Sequence, residues 1–512
     1  MYPFKKSRIS ALPLLLPALL ACSASAQQSG TRPVQLPLFG SQQSGVSTQQ
    51  SATPGMGSSV NTLNTQVQVQ GSYASSALDP SVTGASISLT LTEAVRRGLE
   101  FNLGKTGADA ASRQAMAQHI AARSALLPNL SASLSENAAK VDLAAEGFSS
   151  SVFGSFGGFK LPTTAGPFHY YDLHGSLEQS LFDLTAIHND RAAGQSADAA
   201  VLNARQAREE VVLAVTGSYL QLMATAALID EQRVEVQYAE ASHKQARAQA
   251  DAGNKAPIDA NRSLVELQTE QQRLRSQIAD MQKQKNALAR LIGLPAGQNI
   301  FIAEKLEAQP GDTASVEEIV RRAWEQRLDL RAAEAQLRAA EEARKAAAAE
   351  YLPSASVSGT YGVQGVNPNS GNGTFQASAS LTIPLFNGGR THADTQQADA
   401  VVSERRAELS SQRATVELEV RNAFIDLTVA NDQVNTAQSN RQLALSILQQ
   451  SEDRFGVGVA DSVEVVSSQQ ALASADHDYV SSLFAQNLAR ISLAHAMGEA
   501  EKVLADLYKG SI

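Results

Sequence analysis

Histidine, cysteine and clustered carboxylates are the side chains best able to bind a metal or attack a substrate, and here they are sparse. The chain has eight histidines and one cysteine, Cys22. A single cysteine permits neither an intrachain disulfide nor a cysteine metal cluster. The histidines are scattered, without an HExxH motif, and no carboxylates gather at ligand spacing. His169 and His174 come nearest to a metal pair, yet no metal and no cofactor are expected. A glycine-rich phosphate loop and a GxSxG elbow are also missing, so catalysis is not expected. What remains is acidic residues beside glycine-containing breaks: Asp259 after Gly253, and Asp461 and Glu464 after Gly456 and Gly458. Carboxylates there can favour the first turn of a following helix through its dipole.

The composition agrees with this bland chemistry. Of 512 residues, 43% are hydrophobic but only 5% aromatic, and the formal charge is −9. Few aromatics with abundant Ala, Gln, Ser, Glu and Arg suggest long helices packed through small residues. A net negative chain lacks the basic face that displaces counterions from nucleic acid, so no nucleic-acid partner is expected.

At the N-terminus, Lys5, Lys6 and Arg8 precede an apolar run from Ile9 to Ala21, interrupted by Pro13 and Pro17. This is the form of a secretory signal peptide, assigned to residues 1–26. Two processing sites compete. Ala24-Ser25-Ala26 fits cleavage before Gln27, whereas LLAC at 19–22 resembles a bacterial lipobox and would leave Cys22 lipidated. Either removes three positive charges and takes −9 to −12. No later segment has enough consecutive apolar residues for a membrane-spanning helix. Residues 27–87 form a Gln/Ser/Thr-rich tail too poor in large apolar groups to offset ordering, and it is expected to be disordered or loosely draped.

The rest reads as one plan used twice. LEQSLFDLT at 177–185 recurs as LTIPLFNGG at 381–389, AGNKAPIDANRS at 252–263 as VGVADSVEVVSS at 457–468, and ALARLIG at 287–293 as SLAHAMG at 492–498. These pairs are offset by 204 or 205 residues, whereas LPNLSASL at 127–134 and LPSASVSG at 352–359 are offset by 225. An insertion of about 20 residues therefore sits in the first copy, and the stretch Phe148–Pro167 is the candidate. Its residues Phe148, Phe153, Phe156 and Phe159 suit an external loop or an interfacial aromatic belt. The repeats are assigned to 88–305 and 306–512.

No proline lies between Phe168 and Ala256 or after Pro384. An interior proline costs a helix about 3 kcal/mol, so these stretches permit long helices. Ala186–Asp251 and Thr391–Arg454 each predict a helix of about 100 Å, followed by a return helix ending at Leu291 and at Met497. Leu267, Leu274, Met281 and Leu288 recur every seven residues, with Ile278 and Ile292 four residues after two of them and Gln271 and Lys285 in the other such slots. Val420, Leu427 and Val434 repeat the spacing, which is that of a coiled coil. Trp324, in the helix opening the second copy, is expected to pack.

Four segments alternate instead. Leu130, Ala132 and Leu134 alternate with serines, as do Ala355, Val357, Gly359, Tyr361 and Val363 with Ser, Thr and Gln. Leu173, Gly175 and Leu177 alternate with polar residues, and Phe375, Ala377, Ala379, Leu381 and Ile383 do likewise. One apolar and one polar face at period two suits a strand crossing an outer membrane. Four strands leave two open edges that lipid does not tolerate. Three chains would give twelve strands, wide enough for a pore whose polar faces line water.

In these residues the chain resembles the TolC-like outer-membrane efflux proteins. The resemblance covers about 89–500. It is carried by LTEAVRRGLEFN at 91–102, the LPNLSAS and LPSASVS strand starts, the LFD and LFNGGR strand-to-helix junctions, the turn at 455–465 and the helix end at 288–295. It implies a mainly α fold with transmembrane β: duplicated coiled-coil hairpins forming an α-barrel, and four strands per chain completing a 12-stranded trimeric β-barrel. It implies a homotrimer in the outer membrane with a periplasmic extension, docked to a periplasmic adaptor and an inner-membrane pump. The tips, including Gly253, Asn254, Gly456 and Gly458, would contact the adaptor. Family members close at these tips with acidic rings. Glu464 matches one ring position and Ser467 stands at the second, with Asp461 a partial substitute and Asp259 the first-copy counterpart. The basic residue that ties the tip in some members falls at Ala460, so that tie is expected to be lost. An adaptor or another coiled-coil envelope protein is the alternative, though two equal copies argue against it.

Overall fold

Each copy begins with the same helix-starting device. Thr90 accepts a hydrogen bond from the Glu93 amide at 3.2 Å, and Ser315 accepts one from the Glu318 amide at 3.4 Å. Ser or Thr three residues before Glu is the sequence form of a helix start. From there the computed structural model builds the two copies in parallel. It describes residues 46–52, 63–80, 86–143, 145, 163–253, 256–302, 304–308, 315–457, 459–460 and 462–507.

Ahead of the first copy lie β1 (Val46–Ala52), β2 (Leu63–Val69) and β3 (Ile87–Leu89). The first copy is α1 (Leu91–Phe101), α2 (Leu103–Ser124), β4 (Asn129–Asp142), β5 (Thr164–Phe182), α3 (Leu184–Asp251), α4 (Pro257–Leu291) and β6 (Ile300–Ile302). The second is α5 (Val316–Gln326), α6 (Leu328–Ala349), β7 (Ser354–Gly365), β8 (Asn372–Thr382), α7 (Arg390–Gly456) and α8 (Ser462–Met497), followed by α9 (Ala500–Leu507). The matching helices have 11 and 11, 22 and 22, 68 and 67, and 35 and 36 residues. Asp183 caps α3 by accepting from the Ala186 amide at 3.0 Å, and proline opens α4, where a missing amide costs nothing.

Strands β4-β5-β7-β8 form one antiparallel sheet, β1 and β2 pair antiparallel, and β3 pairs parallel with β6. The two long helices run through two levels. Near the sheet, α3 packs against α2 and α6, and α7 against α6. Further on, the row is α4, α3, α8, α7. An 18-residue stretch of α3 is apolar enough to span a bilayer by composition, but 67% of it is buried inside the protein. It is a core segment.

That core lies where the short elements meet the long helices. Leu89, Leu91, Val211, Val215, Leu222, Leu288, Ile292 and Ile300 are fully buried together. Tyr219 donates its hydroxyl to the Leu89 carbonyl at 2.8 Å. The second copy repeats the arrangement with Ile319, Val320 and Ala323 of α5 on Val416 and Val420 of α7 and on Leu493 of α8. Approach is close: a Cβ on Gly98 would stand 2.6 Å from Val215 Cγ2. Trp324 is half-exposed, with its ring N–H 3.4 Å from the Arg413 carbonyl.

The seam of α7 holds. Val416, Val420, Ala423, Leu427, Ala430, Val434, Ala437, Ala444 and Leu448 are all buried. In α4 the row Leu267, Leu274, Met281 and Leu288 turns inward as expected, but its companion row differs. Ile292 is buried, whereas Ile278 is 46% exposed. Gln271 and Lys285, in the same four-residue slots, are half-buried, and so are Gln277 and Gln284 three residues on, while Glu270 is buried. A coiled coil alternates steps of three and four, and of its four-residue slots Ile278 alone is exposed.

The loosely draped tail is corrected for residues 63–80. Val69 and Tyr73 pack on the first core. Backbone pairing does the rest: Ala77 donates to the Phe101 carbonyl, Leu103 to Ser75 and Asp79 to Gly293, each at 2.9 Å. Asp79 also pairs with Arg97 at 2.7 Å. Main-chain groups supply this docking, and composition does not register them. Cys22, the signal-peptide residues and Phe148–Phe159 lie outside the described residues.

Charged residues tie the second copy together near this core and join it to the first. Arg327, buried ahead of α6, donates to Asp329 at 2.6 Å, to Glu419, and to the Ala496 carbonyl at 3.3 Å. His495 of α8 meets Glu210 of α3 at 3.3 Å. Burial alone would depress the pKa of His495, and Arg327 adds to that, but Glu210 and Glu209 outweigh both and the net shift is upward. A raised folded-state pKa contributes stability that is present below the ordinary value of 6.5 and is lost as pH rises through the folded value. We therefore expect His495→Gln to lower the melting temperature most near pH 6. The deficit should shrink steadily toward pH 9, as read in parallel melts of the two proteins in detergent.

Candidate functional site: sheet faces and hairpin tips

The register of the four-stranded sheet sorts its side chains into rows. Leu130, Leu177, Gly359 and Ala377 stand in one row, Ala132, Gly175, Tyr361 and Phe375 in the next, and Leu134, Leu173, Val363 and Gly373 in the third. Among the described residues, the large side chains of this face are mostly exposed. Leu130 is 79%, Tyr361 75% and Phe375 81% exposed. Beyond the sheet, Leu385 and Phe386 are more than nine-tenths exposed or close to it, at 93% and 90%. So large a continuous apolar face marks contact with lipid or protein.

The opposite face is a hydroxyl ladder. Ser131 and Ser176 stand 2.7 Å apart, Ser358 and Ser378 2.8 Å, and Ser356 and Ser380 2.9 Å. His174 approaches Ser133 through Nε2 at 3.0 Å and Asp172 through Nδ1 at 3.2 Å. His169 and His174 stand an odd number of positions apart on β5 and so point to opposite faces. The pair therefore does not converge. Among the described residues, no three histidine, cysteine, aspartate or glutamate side chains come together as a metal site.

The tips are built by the turns that the glycines allow. Gly253 ends the first long helix with φ +77, a left-handed conformation that favours glycine. Asp259 lies in the first turn of α4 and Glu464 in the first turn of α8, where the helix dipole favours a negative charge. Ser467 is exposed one turn further on, beside the buried Ser468, which bonds Ser451 across the hairpin at 2.8 Å. Gly456 is the last residue of α7. Asn254, Gly458 and Asp461 lie outside the described residues.

The tip does have a basic partner, from an unexpected position. Arg454 Nε stands 3.3 Å from Glu464 Oε1, and its carbonyl accepts from the Val459 and Ala460 amides at 2.9 and 3.2 Å. The family pattern places that partner inside the turn, at Ala460. The signal that would have found Arg454 is hairpin symmetry, because residues equidistant from a turn face each other.

A second charged junction ties the hairpins together midway. At Arg441 the sevenfold series of Val420, Leu427 and Val434 meets a charge instead of an apolar residue. Its guanidinium reaches Asp476 of α8, stands 3.5 Å from Glu231 of α3, and lies over the Tyr479 ring at 5.4 Å. Glu270, almost buried, accepts from Gln232 at 2.6 Å. In this surrounding, burial first and then Glu270, Asp476, Glu231 and Glu266 push the Glu235 carboxyl up to about 7.

An alternating sheet with one lipid-compatible and one hydroxyl-rich face, set on long paired helical hairpins, defines a membrane-channel class of envelope protein. The family model for outer membrane efflux proteins matches residues 107–294 and 319–499. That is well over half of the chain: the protein belongs to this family, and its place is the outer membrane. Outer membrane protein TolC of Vibrio cholerae is 24% identical over 219 residues, 41% of this chain and 50% of that protein. The matched stretch thus spans about half the length of that relative. A membrane protein from Pseudomonas aeruginosa superposes with a TM-score of 0.69 at 20% identity, over 80% of this chain and 93% of the other. The CmeC outer membrane channel of Campylobacter jejuni gives 0.70 at 16%, over 82% and 89%. The open-state MtrE channel of Neisseria gonorrhoeae gives 0.66 at 19%, over 91% and 98%. These likenesses establish the mainly helical fold with its strand layer.

The Glu235 environment sets a further expectation. A carboxyl whose folded pKa is raised loses stability as pH rises through that value, because the charged form is disfavoured in the fold. Glu235→Gln should leave the melting temperature unchanged near pH 4 and raise it by about a few degrees at pH 8. Equal melting at both pH values would remove the assigned strain.

Proposed function

We propose that three copies of this chain form an outer-membrane exit duct of a tripartite efflux or secretion system. One observation carries the reading: the sheet exposes an apolar face and ends in two edge strands, β4 and β8, each paired on one side only among the described residues. In hydrocarbon each unpaired backbone group costs several kcal/mol, so such a sheet must close. Joining β8 of one copy to β4 of the next gives twelve strands after three copies. The helices support the same closure. The ends of the far row, α4 and α7, carry exposed Ile258, Val265 and Ile278 on one and Leu418, Ile425 and Val429 on the other. In this reading residues 88–305 and 306–512 are the two repeats. Residues 1–26 are the signal peptide, with Cys22 lipidated or removed, and 27–87 form the tail. The long hairpins reach about 100 Å into the periplasm.

The duct performs no chemistry. Energy comes from an inner-membrane pump reached through a periplasmic adaptor, which docks at the tips around Gly253, Asn254, Gly456 and Gly458. Asp259, Asp461, Glu464 and Ser467 surround the constriction. The half-exposed Arg454–Glu464 pair holds each tip in its folded-over form. An exposed ion pair is worth up to about 1 kcal/mol.

Light scattering of the purified membrane fraction in detergent tests the assembly. About three chains per particle is the expected result. A monomer that stays soluble without detergent would overturn it and favour an adaptor or stalk. Planar-bilayer recording tests the gate. Arg454→Ala should shift the open-to-closed ratio by about two- to fivefold, the equivalent of that ion pair. Asp259→Asn and Glu464→Gln should alter conductance or block by divalent cations while leaving assembly intact. Unchanged conductance and block in both single variants and in the double variant would sink the gate assignment.

A further inference from the structure

The hydroxyl-rich face of the sheet carries charge of one sign. Its register places Asp172, His174, Ser176 and Glu178 of β5 on this face. The positions beside them on β4, β7 and β8 are Ser, Thr, Asn, Gln and Gly: Glu178 stands between Asn129 and Ser358, and Asp172 between Ser135 and Gln364. β7 and β8 contain no charged residue at all, and the single lysine of β4, Lys140, lies at the irregular far end of the strand pair, where the register shifts between Ala139 and Val141. Glu178 is exposed on this face, and Asp172 is held by the His174 ring at 3.2 Å. Over the span from Asn129 to Ser135, the wall therefore offers two carboxylates, a histidine and a ladder of hydroxyls, with no fixed cation.

We propose that this wall is a cation-favouring filter, separate from the tips, with Asp172 and Glu178 its charge-bearing residues. It passes cationic and neutral hydrogen-bonding solutes in preference to anions. The proposal rests on the trimeric duct reading, in which the apolar face meets lipid and the polar face meets water. Threefold closure then repeats Glu178 and Asp172 as two rings at different depths. Serine hydroxyls both donate and accept, so they leave the sign of selectivity to the carboxylates. A wall charge acts across the lumen only as far as salt allows. The screening length is about 8 Å at 0.15 M and about 30 Å at 0.01 M, so the preference should strengthen as salt is diluted.

The test is the reversal potential of single channels of the full-length protein under a potassium chloride gradient, at high and at low mean salt. Wild type should favour potassium, more strongly at low salt. Glu178→Gln should reduce the preference, and the double variant with Asp172→Asn should bring the cation-to-anion permeability ratio close to one, with unitary conductance at high salt preserved. Asp259→Asn with Asp461→Asn and Glu464→Gln, which removes the carboxylates assigned to the constriction, should keep most of the preference. An unchanged ratio in the Glu178/Asp172 double variant, or its collapse in the tip variant, overturns the filter. Should the wall variants fail to insert, the tip variant alone still decides, since the filter requires selectivity to survive there. Absence of any wild-type channel, together with a monomeric mass, would instead count against the duct reading.

Discussion

The backbone of a strand in hydrocarbon has nowhere to place an unpaired N–H or C=O, and the rest of the molecule follows from that. A sheet of four strands cannot stand alone in lipid. In the proposed assembly its edges meet other copies, and its apolar rows face outward on every strand. Because strand pairs and helical hairpins alternate along the chain, closing the sheet also sets which helices become neighbours. The long helices extend that arrangement away from the membrane without new rules. The duplication is the economical form of this design, since each copy supplies one strand pair and one hairpin of nearly the same length.

Apolar packing is close, and charged contacts join its elements both within and between the copies. Arg327 links the start of α6 to α7 and α8 inside the second copy, whereas His495 links α8 to α3 and Arg441 links α7 to α8 and, across the copies, to α3. Desolvation offsets much of the attraction in such contacts, so they add little to folding by themselves. Their effect lies in register. A helix that slips by one turn leaves a partly buried charge without its partner, which costs far more than the intact pair contributes. Apolar seams of alanine and valine slide more cheaply, because one small residue replaces another.

The helices and strands were legible in the sequence because their patterns are long and repeated. Proline-free stretches of more than sixty residues can scarcely be anything but helix when rich in alanine, and period-two alternation between Leu or Phe and Ser has few readings. The contacts that decide the site were less legible. The docked tail at 63–80 is held mainly by main-chain groups, which composition does not report. Ile278 fits the seam by its four-residue spacing, and only the packed helix shows it exposed. Arg454 sits on Glu464 through the symmetry of a turn, whereas the family pattern points to Ala460. Arg441 was visible as a break in a heptad series, but its meaning depended on which carboxylates the neighbouring hairpin brought to it.

In the proposed duct motion belongs at the tips, and the distribution of apolar burial supports this. Two extensive cores surround the short helices and the parallel strand pair, whereas further along the second hairpin the cluster is only Ala444, Leu448, Leu472 and Ala475, with Val465 against it. At the end itself Val457, Val459 and Val463 are 76%, 71% and 64% exposed. Opening energies follow local contact density, so the segment with fewest buried apolar groups rearranges most readily. The sheet is the opposite case, since parting its strands in lipid would expose backbone groups that nothing else can satisfy. A duct built this way keeps a rigid wall in the membrane and confines its movable part to the far end. There, in the proposed gate, a weak, half-exposed ion pair would suffice to hold one state over another, because almost no apolar surface has to be uncovered to leave it.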